Sequence, residues 1–315
     1  MENNIRYPAE WEEQAATWLA LPVNDDNWKI RRERIDAFYS KLIDSISKFQ
    51  PVKILDNMQI PHNDIWIRDY GPFFVQNGKS LFAVSYEFNA WGKKFPPWDL
   101  DNAVPEKIAE YIGIPIKKYN WVLEGGAVEL NGDGLCLTTA PCLFGEKRNS
   151  KKHEKAFLKD LQESLGIESL KILPRGLNGD HTDGHIDNIA RFVAKNRVAM
   201  ATGFAPELRE VEAWLCEHYE NAKVDILPLP PQKTLNGEIL PASYMNFIFV
   251  NGGLIVPVYN CDSDSVALDY FKNIFPDREV IGLDCSAPIE EGGSLHCLSK
   301  QMPNPTPQFP LPTSR

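Results

Sequence analysis

The stretch Phe73-Phe-Val-Gln-Asn-Gly-Lys-Ser-Leu-Phe-Ala-Val84 joins two apolar runs through an Asn-Gly pair. Asn-Gly favours the tight turn of a two-stranded β-hairpin, so the stretch predicts a hairpin. Comparable pairs of apolar runs, each joined by a short polar turn, recur at residues 127–138, 189–201 and 247–258. The recurrence predicts a fold assembled from copies of one hairpin-based unit.

Each hairpin is followed by a loop, a helix and a further strand. Apolar residues recur at helical spacing in the segments 101–112, 151–165, 206–220 and 263–275. The strands that follow these helices are predicted at residues 116–119, 170–173, 224–227 and 279–283. The sequence therefore predicts four ββαβ units and an α/β fold.

A fifth unit is predicted to be divided between the two ends of the chain. Residues 17–21 form an apolar strand that leads into an amphipathic helix at 31–49 and a strand at 52–55. Residues 295–299 are predicted to supply the missing partner strand. Such pairing would close a ring of units and hide the sheet edges.

The spacing of the turn asparagines supports a ring of repeats. Asn77, Asn131, Asn196 and Asn251 are separated by intervals typical of propellers and repeat arrays. We therefore expect a single catalytic domain over residues 1–302, followed by a Pro-rich tail at 303–315 that forms neither a helix nor a central strand.

The composition excludes several classes of function. The 315-residue chain carries 43 acidic and 33 basic residues, a formal net charge of -10, which argues against nucleic acid and an anionic membrane as partners. There is no secretory h-region and no apolar run long enough to span a bilayer. The six cysteines show no C-x-x-C spacing, so reduced thiols and a cytoplasmic location are expected. Homo-oligomerisation is compatible with this composition.

Polar residues that titrate or bind cations stand at equivalent points, just before the hairpins and the last strand. The densest group is Asp180-His-Thr-Asp-Gly-His-Ile-Asp-Asn188. Equivalent points of a ring converge on its axis, so one central pocket is predicted for the following residues: Asp69, Glu124, His185, Asp187, Asn246 and Cys297.

Taken singly, each of these residues has a simpler structural explanation. Asp69 fits a turn before Gly-Pro, Glu124 a bulge before two glycines, and Asn246 the end of a strand. Cys297 fits a small buried apolar position. His181 and His185 have a spacing found in zinc sites, but Gly184 disfavours a helix between them.

Taken together, the residues predict chemistry on a guanidinium group. Asp69 and Asp187 can each accept paired hydrogen bonds from a planar guanidinium. Cys297 can attack its central carbon, and His185 can protonate departing ammonia and later deprotonate water. Glu124 would orient or stabilise His185. This chemistry requires no metal and no organic cofactor.

The chain resembles the agmatine deiminases and the related Porphyromonas-type peptidylarginine deiminases of the guanidine-modifying superfamily. The resemblance covers nearly the whole chain. It is carried by Trp66-Ile-Arg-Asp-Tyr-Gly-Pro72, Glu124-Gly-Gly, Arg148-Asn, Gly184-His-Ile-Asp-Asn188, Ser243-Tyr-Met-Asn-Phe247 and Gly292-Gly-Ser-Leu-His-Cys297. It implies a five-bladed βα-propeller with a central active site.

The resemblance also implies individual roles. Cys297 matches the nucleophile, His185 the general acid/base, and Asp69 and Asp187 the carboxylates that bind guanidinium. Glu124 matches an acidic position of the family motif, and Asn246 matches a position near the substrate. Trp66 and Trp28 are expected to line the pocket by resemblance alone.

The expected reaction is hydrolysis of agmatine, a small cationic guanidine, to N-carbamoylputrescine and ammonia in putrescine biosynthesis. The run Glu291-Gly-Gly-Ser-Leu-His-Cys297 departs from the Gly-Gly-Gly-Asn-Ile-His-Cys that is usual in agmatine deiminases. The specificity for the part of the substrate beyond the guanidinium is therefore not determined by the resemblance. Peptidylarginine or free arginine is the alternative substrate. An amidinotransferase, a zinc hydrolase and a non-catalytic scaffold are the alternative classes.

Overall fold

The hairpin at the start of the first unit forms as predicted. A computed structural model describes residues 5–304 except 24–31 and the single positions 79, 146, 178 and 204. Strands Phe73–Asn77 and Ser80–Glu87 are antiparallel, and helix Asp99–Ile112 leads to strand Ile116–Val122, which pairs parallel to the second strand. We call this unit 1. Strand Ile5–Arg6 adds a fourth strand at its edge.

Units 2 and 3 repeat this order of elements and this pattern of pairing, antiparallel within the hairpin and parallel after the helix. Unit 2 contains strands Val128–Leu130 and Leu135–Thr139, helix Glu154–Leu165 and strand Ser169–Leu173. Unit 3 contains strands Ala190–Ala194 and Arg197–Ala201, helix Ala205–His218 and strand Lys223–Leu227.

Unit 4 follows the same plan and is preceded by a two-stranded excursion. It contains strands Ile248–Val250 and Gly253–Val258, helix Ser263–Ile274 and strand Glu279–Asp284. The excursion pairs Thr234–Leu235 with Glu238–Ile239.

Unit 5 is formed from both ends of the chain, as predicted. Strand Gln14–Leu19 pairs antiparallel with Ser299–Pro303 and parallel with Val52–Ile54, which follows helix Arg32–Ser47. The predicted partner strand at 295–299 was placed too early, since the observed strand begins at Ser299. The backbone amides of His296 and Cys297 are held by the Asn246 side chain, so the ladder begins only beyond them.

The helices bury one apolar face against the sheets, which is the reason for their sequence period. In helix Glu154–Leu165 the buried apolar residues are Phe157, Leu161 and Leu165, at spacings of four. No helix in the described residues is long and apolar enough to cross a membrane.

Short helical turns connect the units and carry the polar residues. Ile67–Tyr70 precedes unit 1, Gly125–Ala127 precedes unit 2 and Ile186–Asn188 precedes unit 3. These turns contact one another, Ile67–Tyr70 with Gly125–Ala127 and Gly125–Ala127 with Ile186–Asn188. The fold therefore brings together segments that are far apart in the chain.

Two glycines at helix ends provide a test of how strand Ile5–Arg6 packs. Gly166 and Gly113 both have left-handed backbone angles, with φ of 66° and 70°. An added Cβ would lie 2.0 Å from the Ile5 carbonyl oxygen at Gly166, but would meet nothing described within 4 Å at Gly113. We expect Gly113→Ala to lower the free energy of unfolding by about 1–2 kcal/mol, from backbone strain alone. Gly166→Ala should cost at least about twice as much, because the strand must also shift.

Urea unfolding of the two variants beside the wild type measures this difference. Equal losses would mean that strand Ile5–Arg6 is not packed against Gly166.

Candidate active site

One large cavity opens beside the turns that connect the units. Its volume is about 630 Å³, within the range of small-molecule sites. Its walls include Trp66, Asp69, Trp91 and Cys297, together with Phe95, Pro96 and Pro97. The cavity thus has aromatic walls with a carboxylate and a thiol among its lining groups.

Three of the predicted site residues converge on a single glycine. A Cβ at Gly126 would lie 2.6 Å from His185 Nδ1, 2.8 Å from Asp187 Oδ2 and 2.9 Å from Asp69 Oδ1. Any side chain at this position would displace the three groups. The backbone N–H of Gly126 also donates to Asp69 Oδ1 at 2.8 Å, which fixes that carboxylate.

His185 is fully buried between two carboxylates. Its Nδ1 lies 3.6 Å from Asp69 Oδ1, and its Nε2 lies 3.7 Å from Glu124 Oε2. Burial disfavours the imidazolium, but Asp69, Glu124 and Asp187 outweigh it and raise the pKa of His185 to about 9. His185 therefore carries a proton at neutral pH.

The two carboxylates beside His185 are fixed by further hydrogen bonds. Arg148 Nε donates to both Glu124 oxygens, at 2.8 and 3.1 Å. Although burial raises the pKa of Glu124, His185 and Arg148 together hold it below its usual value. Asp69 Oδ2 accepts from the indole Nε1 of Trp91 at 2.9 Å, so both Asp69 oxygens are oriented.

Asp187 ends a chain of buried polar and charged groups. Its Oδ2 lies 2.7 Å from His296 Nδ1, and His296 Nε2 lies 2.9 Å from Glu10 Oε2. Arg191 then donates to Glu10 at 2.7 Å and to Glu129 at 2.8 Å. Burial raises the pKa of Asp187, but His296 and His185 outweigh it and lower the pKa, so Asp187 is ionised.

Cys297 lies against Asp187 and Asn246. Its Sγ is 3.8 Å from Asp187 Oδ2 and accepts from Asn246 Nδ2 at 3.2 Å. Burial and the carboxylates of Asp187 and Asp69 raise the pKa of Cys297 well above that of an ordinary thiol. The protein without a bound cation therefore holds a protonated thiol.

Three buried polar atoms at the centre have no hydrogen-bond partner among the described residues. They are Asp187 Oδ1 and both ring nitrogens of His185. Unpaired buried polar atoms cost free energy and are uncommon, so they indicate groups that a ligand satisfies. Two carboxylates beside a thiol and an imidazolium suit a planar cation with several N–H donors.

Comparison with known proteins agrees with this geometry. The sequence profile of the Porphyromonas-type peptidyl-arginine deiminase family matches residues 6–303. The chain belongs to this family. It is 31% identical to the agmatine deiminase of Pseudomonas aeruginosa and 30% identical to that of Pseudomonas syringae, with 96% of each chain covered in both cases.

Solved structures of family members superpose closely on the chain. A cysteine-to-serine variant of the C. jejuni agmatine deiminase with substrate bound has a TM-score of 0.87 at 31% identity, covering 96% of this chain and 97% of that one. The agmatine deiminase of Enterococcus faecalis has a TM-score of 0.86 at 29% identity, covering 95% and 96%. The more distant DDAH from Pseudomonas aeruginosa, at 14% identity and a TM-score of 0.56, shares the fold.

The structure brings together the site residues predicted from this family member's sequence. Asp69, Glu124, His185, Asp187, Asn246 and Cys297 are buried in one cluster, and Trp66 lines the cavity above it. Trp28 lies outside the described residues. Asp180–His185 is a turn, so His181 and His185 do not share a helical face.

Asn246 has a contact pattern that its sequence position did not suggest. Its Oδ1 accepts from the backbone N–H of His296 at 2.9 Å and from Ser294 Oγ at 2.9 Å. Its Nδ2 donates to Asn188 Oδ1 at 3.0 Å as well as to Cys297. These bonds hold the thiol in place, and a direct substrate contact of Asn246 stays a prediction.

Four residues of the site were missed by sequence reasoning. His296 is adjacent to the predicted nucleophile Cys297, and Arg148 belongs to the Arg148-Asn motif, so a sequence signal existed for both residues. Glu10 is 286 positions from its partner His296, and no local pattern links them. Trp91 has an unusual left-handed φ of 54°, which the sequence Asn-Ala-Trp-Gly does not predict.

Removing the support of Asp187 should weaken capture of the cation. His296→Ala deletes the donor to Asp187 Oδ2, and we expect KM for a guanidine substrate to rise by about tenfold to a hundredfold. His296→Asn retains an amide donor at a similar position and should recover most of the loss. Steady-state kinetics of both variants test this. Equal losses in the two variants would assign His296 to folding alone.

The carboxylates should also control thiol reactivity. Asp187→Asn removes a negative charge beside Cys297, so the thiol pKa should fall and alkylation by neutral iodoacetamide should accelerate several-fold at about pH 8. Peptide mapping by mass spectrometry measures the rate at Cys297. The exposed Cys216 is the internal control and should not change. A slower reaction at Cys297 would contradict the pKa assignment.

Proposed function

We propose that this protein is an agmatine deiminase, which hydrolyses agmatine to N-carbamoylputrescine and ammonia. Its main support is the buried cluster in which Asp69 and Asp187 lie beside Cys297 and His185. Asp187 Oδ1 and the His185 nitrogens, which have no hydrogen-bond partner in the described part of the chain, match the needs of a guanidinium and its departing ammonia. Agmatine is proposed as the substrate because the chain is about 30% identical to agmatine deiminases.

Binding is assigned to the two aspartates. The guanidinium N–H groups donate to the remaining lone pairs of Asp69 and to Asp187 Oδ1, with Cys297 Sγ on one face of the plane. The arriving positive charge lowers the thiol pKa, so a proton leaves Cys297 as the substrate binds. The substrate thereby activates its own nucleophile.

In the first half-reaction, Cys297 Sγ attacks the central guanidinium carbon. A C–S bond forms, and a C–N bond breaks as the His185 imidazolium gives its proton to the departing nitrogen. Ammonia leaves, a thiouronium remains on Cys297, and His185 is neutral. Glu124 stabilises the imidazolium before this transfer and orients the ring after it.

In the second half-reaction, neutral His185 takes a proton from water. The hydroxide attacks the same carbon, the C–S bond breaks, and the hydroxyl proton returns to sulfur. The ureido product leaves, and the His185 imidazolium and the Cys297 thiol are regenerated. The proton released on binding combines with ammonia, so agmatine cation plus water gives N-carbamoylputrescine and ammonium.

We further infer the architecture that serves this reaction. The five ββαβ units form a five-bladed βα-propeller with pseudo-fivefold symmetry, and residues 1–302 belong to one catalytic domain. Strand Ser299–Pro303 extends this domain one residue into the predicted tail 303–315, of which residues 305–315 lie outside the described residues. The contacts between the connecting turns of units 1, 2 and 3, and the closure of unit 5 by both ends of the chain, support this arrangement. A cytoplasmic location is proposed, in keeping with a small metabolic substrate.

Parallel assays of ammonia and ureido product test the function. Agmatine, arginine and a blocked arginyl peptide are compared at matched concentrations with a chelator present, and we expect turnover of agmatine.

Cys297→Ala should abolish turnover and retain agmatine binding. Asp69→Asn and Asp187→Asn should each weaken binding by about 2 kcal/mol or more, because each removes a charged hydrogen-bond acceptor.

Other results would redirect the assignment. Turnover chiefly of the peptide would make the protein a peptidylarginine deiminase. Exchange of the amidino group with an added amine, without net ammonia, would make it an amidinotransferase. Turnover by Cys297→Ala would overturn the covalent mechanism.

A further inference from the structure

The cavity wall contains a carboxylate that the proposed chemistry does not use. Asp64 lines the same cavity of about 630 Å³ as Asp69 and Cys297. It lies five positions before Asp69, in the loop that precedes the helical turn Ile67–Tyr70. Asp69 and Asp187 serve the guanidinium in the proposed mechanism, which leaves Asp64 available to another part of the substrate.

The carboxyl group of Asp64 is oriented but not neutralised. Its Oδ1 accepts from the backbone N–H of Ile65 at 2.7 Å, and its backbone carbonyl accepts from the Tyr70 hydroxyl at 2.7 Å. In the part of the chain that the structure describes, no Lys or Arg forms an ion pair with it. One short backbone hydrogen bond holds the group without cancelling its charge.

The cationic side chain on the same wall is already paired. Lys94 Nζ lies 2.6 Å from Asp183 Oδ1 and 2.8 Å from the His181 carbonyl oxygen, and both oxygens accept hydrogen bonds from it. Asp183 in turn accepts from Arg148 Nη1 at 2.6 Å. Lys94 is therefore engaged by the protein and is poorly placed to receive a substrate carboxylate.

Several titratable groups face Asp64, and one of them, Glu291, opposes its ionisation. Burial raises the pKa of Asp64 to about 6, Glu291 adds to the rise, and the Ile65 hydrogen bond and His62 oppose it. Asp101 and the Tyr39 and Tyr70 hydroxyls also lie close enough to interact, but burial raises the pKa of Asp101 to about 8 and the pKa values of both tyrosines further above their ordinary value, so these three groups are neutral at pH 7. A carboxylate in these surroundings is stabilised by a cation that enters the cavity.

We propose that Asp64 binds the distal ammonium group of the substrate and so selects guanidines that carry a second positive charge. This inference rests on the proposed deiminase function and adds the residue that recognises the tail. The apolar chain between the two cations would run along Trp66, Trp91 and Phe95, which line the same cavity. A substrate with a carboxylate at that end, such as free arginine, is repelled by Asp64.

A pair of matched substrates separates recognition of the tail from catalysis. Agmatine is compared with pentylguanidine, in which a methyl group replaces the ammonium at the same chain length. Asp64→Asn keeps an oxygen that can accept from Ile65 but removes the charge. Asp277→Asn, at an exposed aspartate outside the cavity lining, controls for net charge.

We expect Asp64→Asn to lower kcat/KM for agmatine by about tenfold to a hundredfold, the size of a lost charged hydrogen bond. Its kcat/KM for pentylguanidine should stay within about twofold of wild type, and Asp277→Asn should change neither value. The wild-type preference for agmatine should hold above pH 6 and decline as pH falls through about 6, because Asp64 then gains a proton. In Asp64→Asn the preference should be small and independent of pH in that range.

Equal losses for both substrates in Asp64→Asn would assign the residue to structure, and an unchanged agmatine value would remove it from tail recognition. The proposed function fails separately, if the wild type does not release ammonia from agmatine. In that event, calorimetric binding of agmatine and pentylguanidine to wild type and Asp64→Asn still decides the inference. The inference is supported if the wild type binds agmatine more tightly than pentylguanidine and the variant loses this preference. It is overturned if the two proteins have the same affinity for agmatine.

Discussion

The structure depends on how a group of buried carboxylates is compensated. Asp69, Glu124, Asp187 and Glu10 are removed from water, and a buried charge is costly unless it is paired and hydrogen-bonded. The groups that pair with them come from distant parts of the chain, namely Arg148, His185, Arg191 and His296. Each unit can therefore complete its polar groups only when its neighbours are in place.

The compensation is complete at the edge of the cluster and incomplete at its centre. Glu10 meets Arg191 and His296, and Glu124 meets Arg148, so these carboxylates are held in fixed orientations. Asp187 keeps one oxygen without a partner among the described residues, and Asp69 shares a single imidazolium with Glu124. The centre retains an excess of negative charge, which a cationic substrate offsets on binding.

This excess also couples binding to reactivity. Burial holds Cys297 as a thiol, and the carboxylates that attract a guanidinium, Asp187 and Asp69, add to this effect. A neutral or anionic molecule that enters the cavity leaves the thiol protonated, whereas a cation lowers its pKa. Selectivity for the guanidinium and activation of the nucleophile thus both depend on these two carboxylates. Asp64 would extend the same principle to the other end of the cavity.

The sequence by itself determined the units and most of the chemistry. Asn-Gly turns, alternating apolar runs and helical periodicity depend on neighbours in the chain, so all four internal units were predicted with small errors at their boundaries. Asp69, Glu124, His185, Asp187 and Cys297 were found because each stands at the same point of a repeat. The start of the strand at Ser299 was missed, since the side chain of Asn246, just before unit 4, holds the preceding amides.

Only the tertiary structure decided what supports and surrounds these residues. Glu10 meets His296 across 286 positions, and Trp91 reaches Asp69 through a left-handed backbone that its local sequence does not favour. The absence of a side chain at Gly126 matters because three groups from two of the connecting segments converge there. Such contacts depend on how separate units pack, and packing partners leave no periodic or local pattern in a single sequence. The charge state of each group follows from those contacts, so it too was settled by the folded structure.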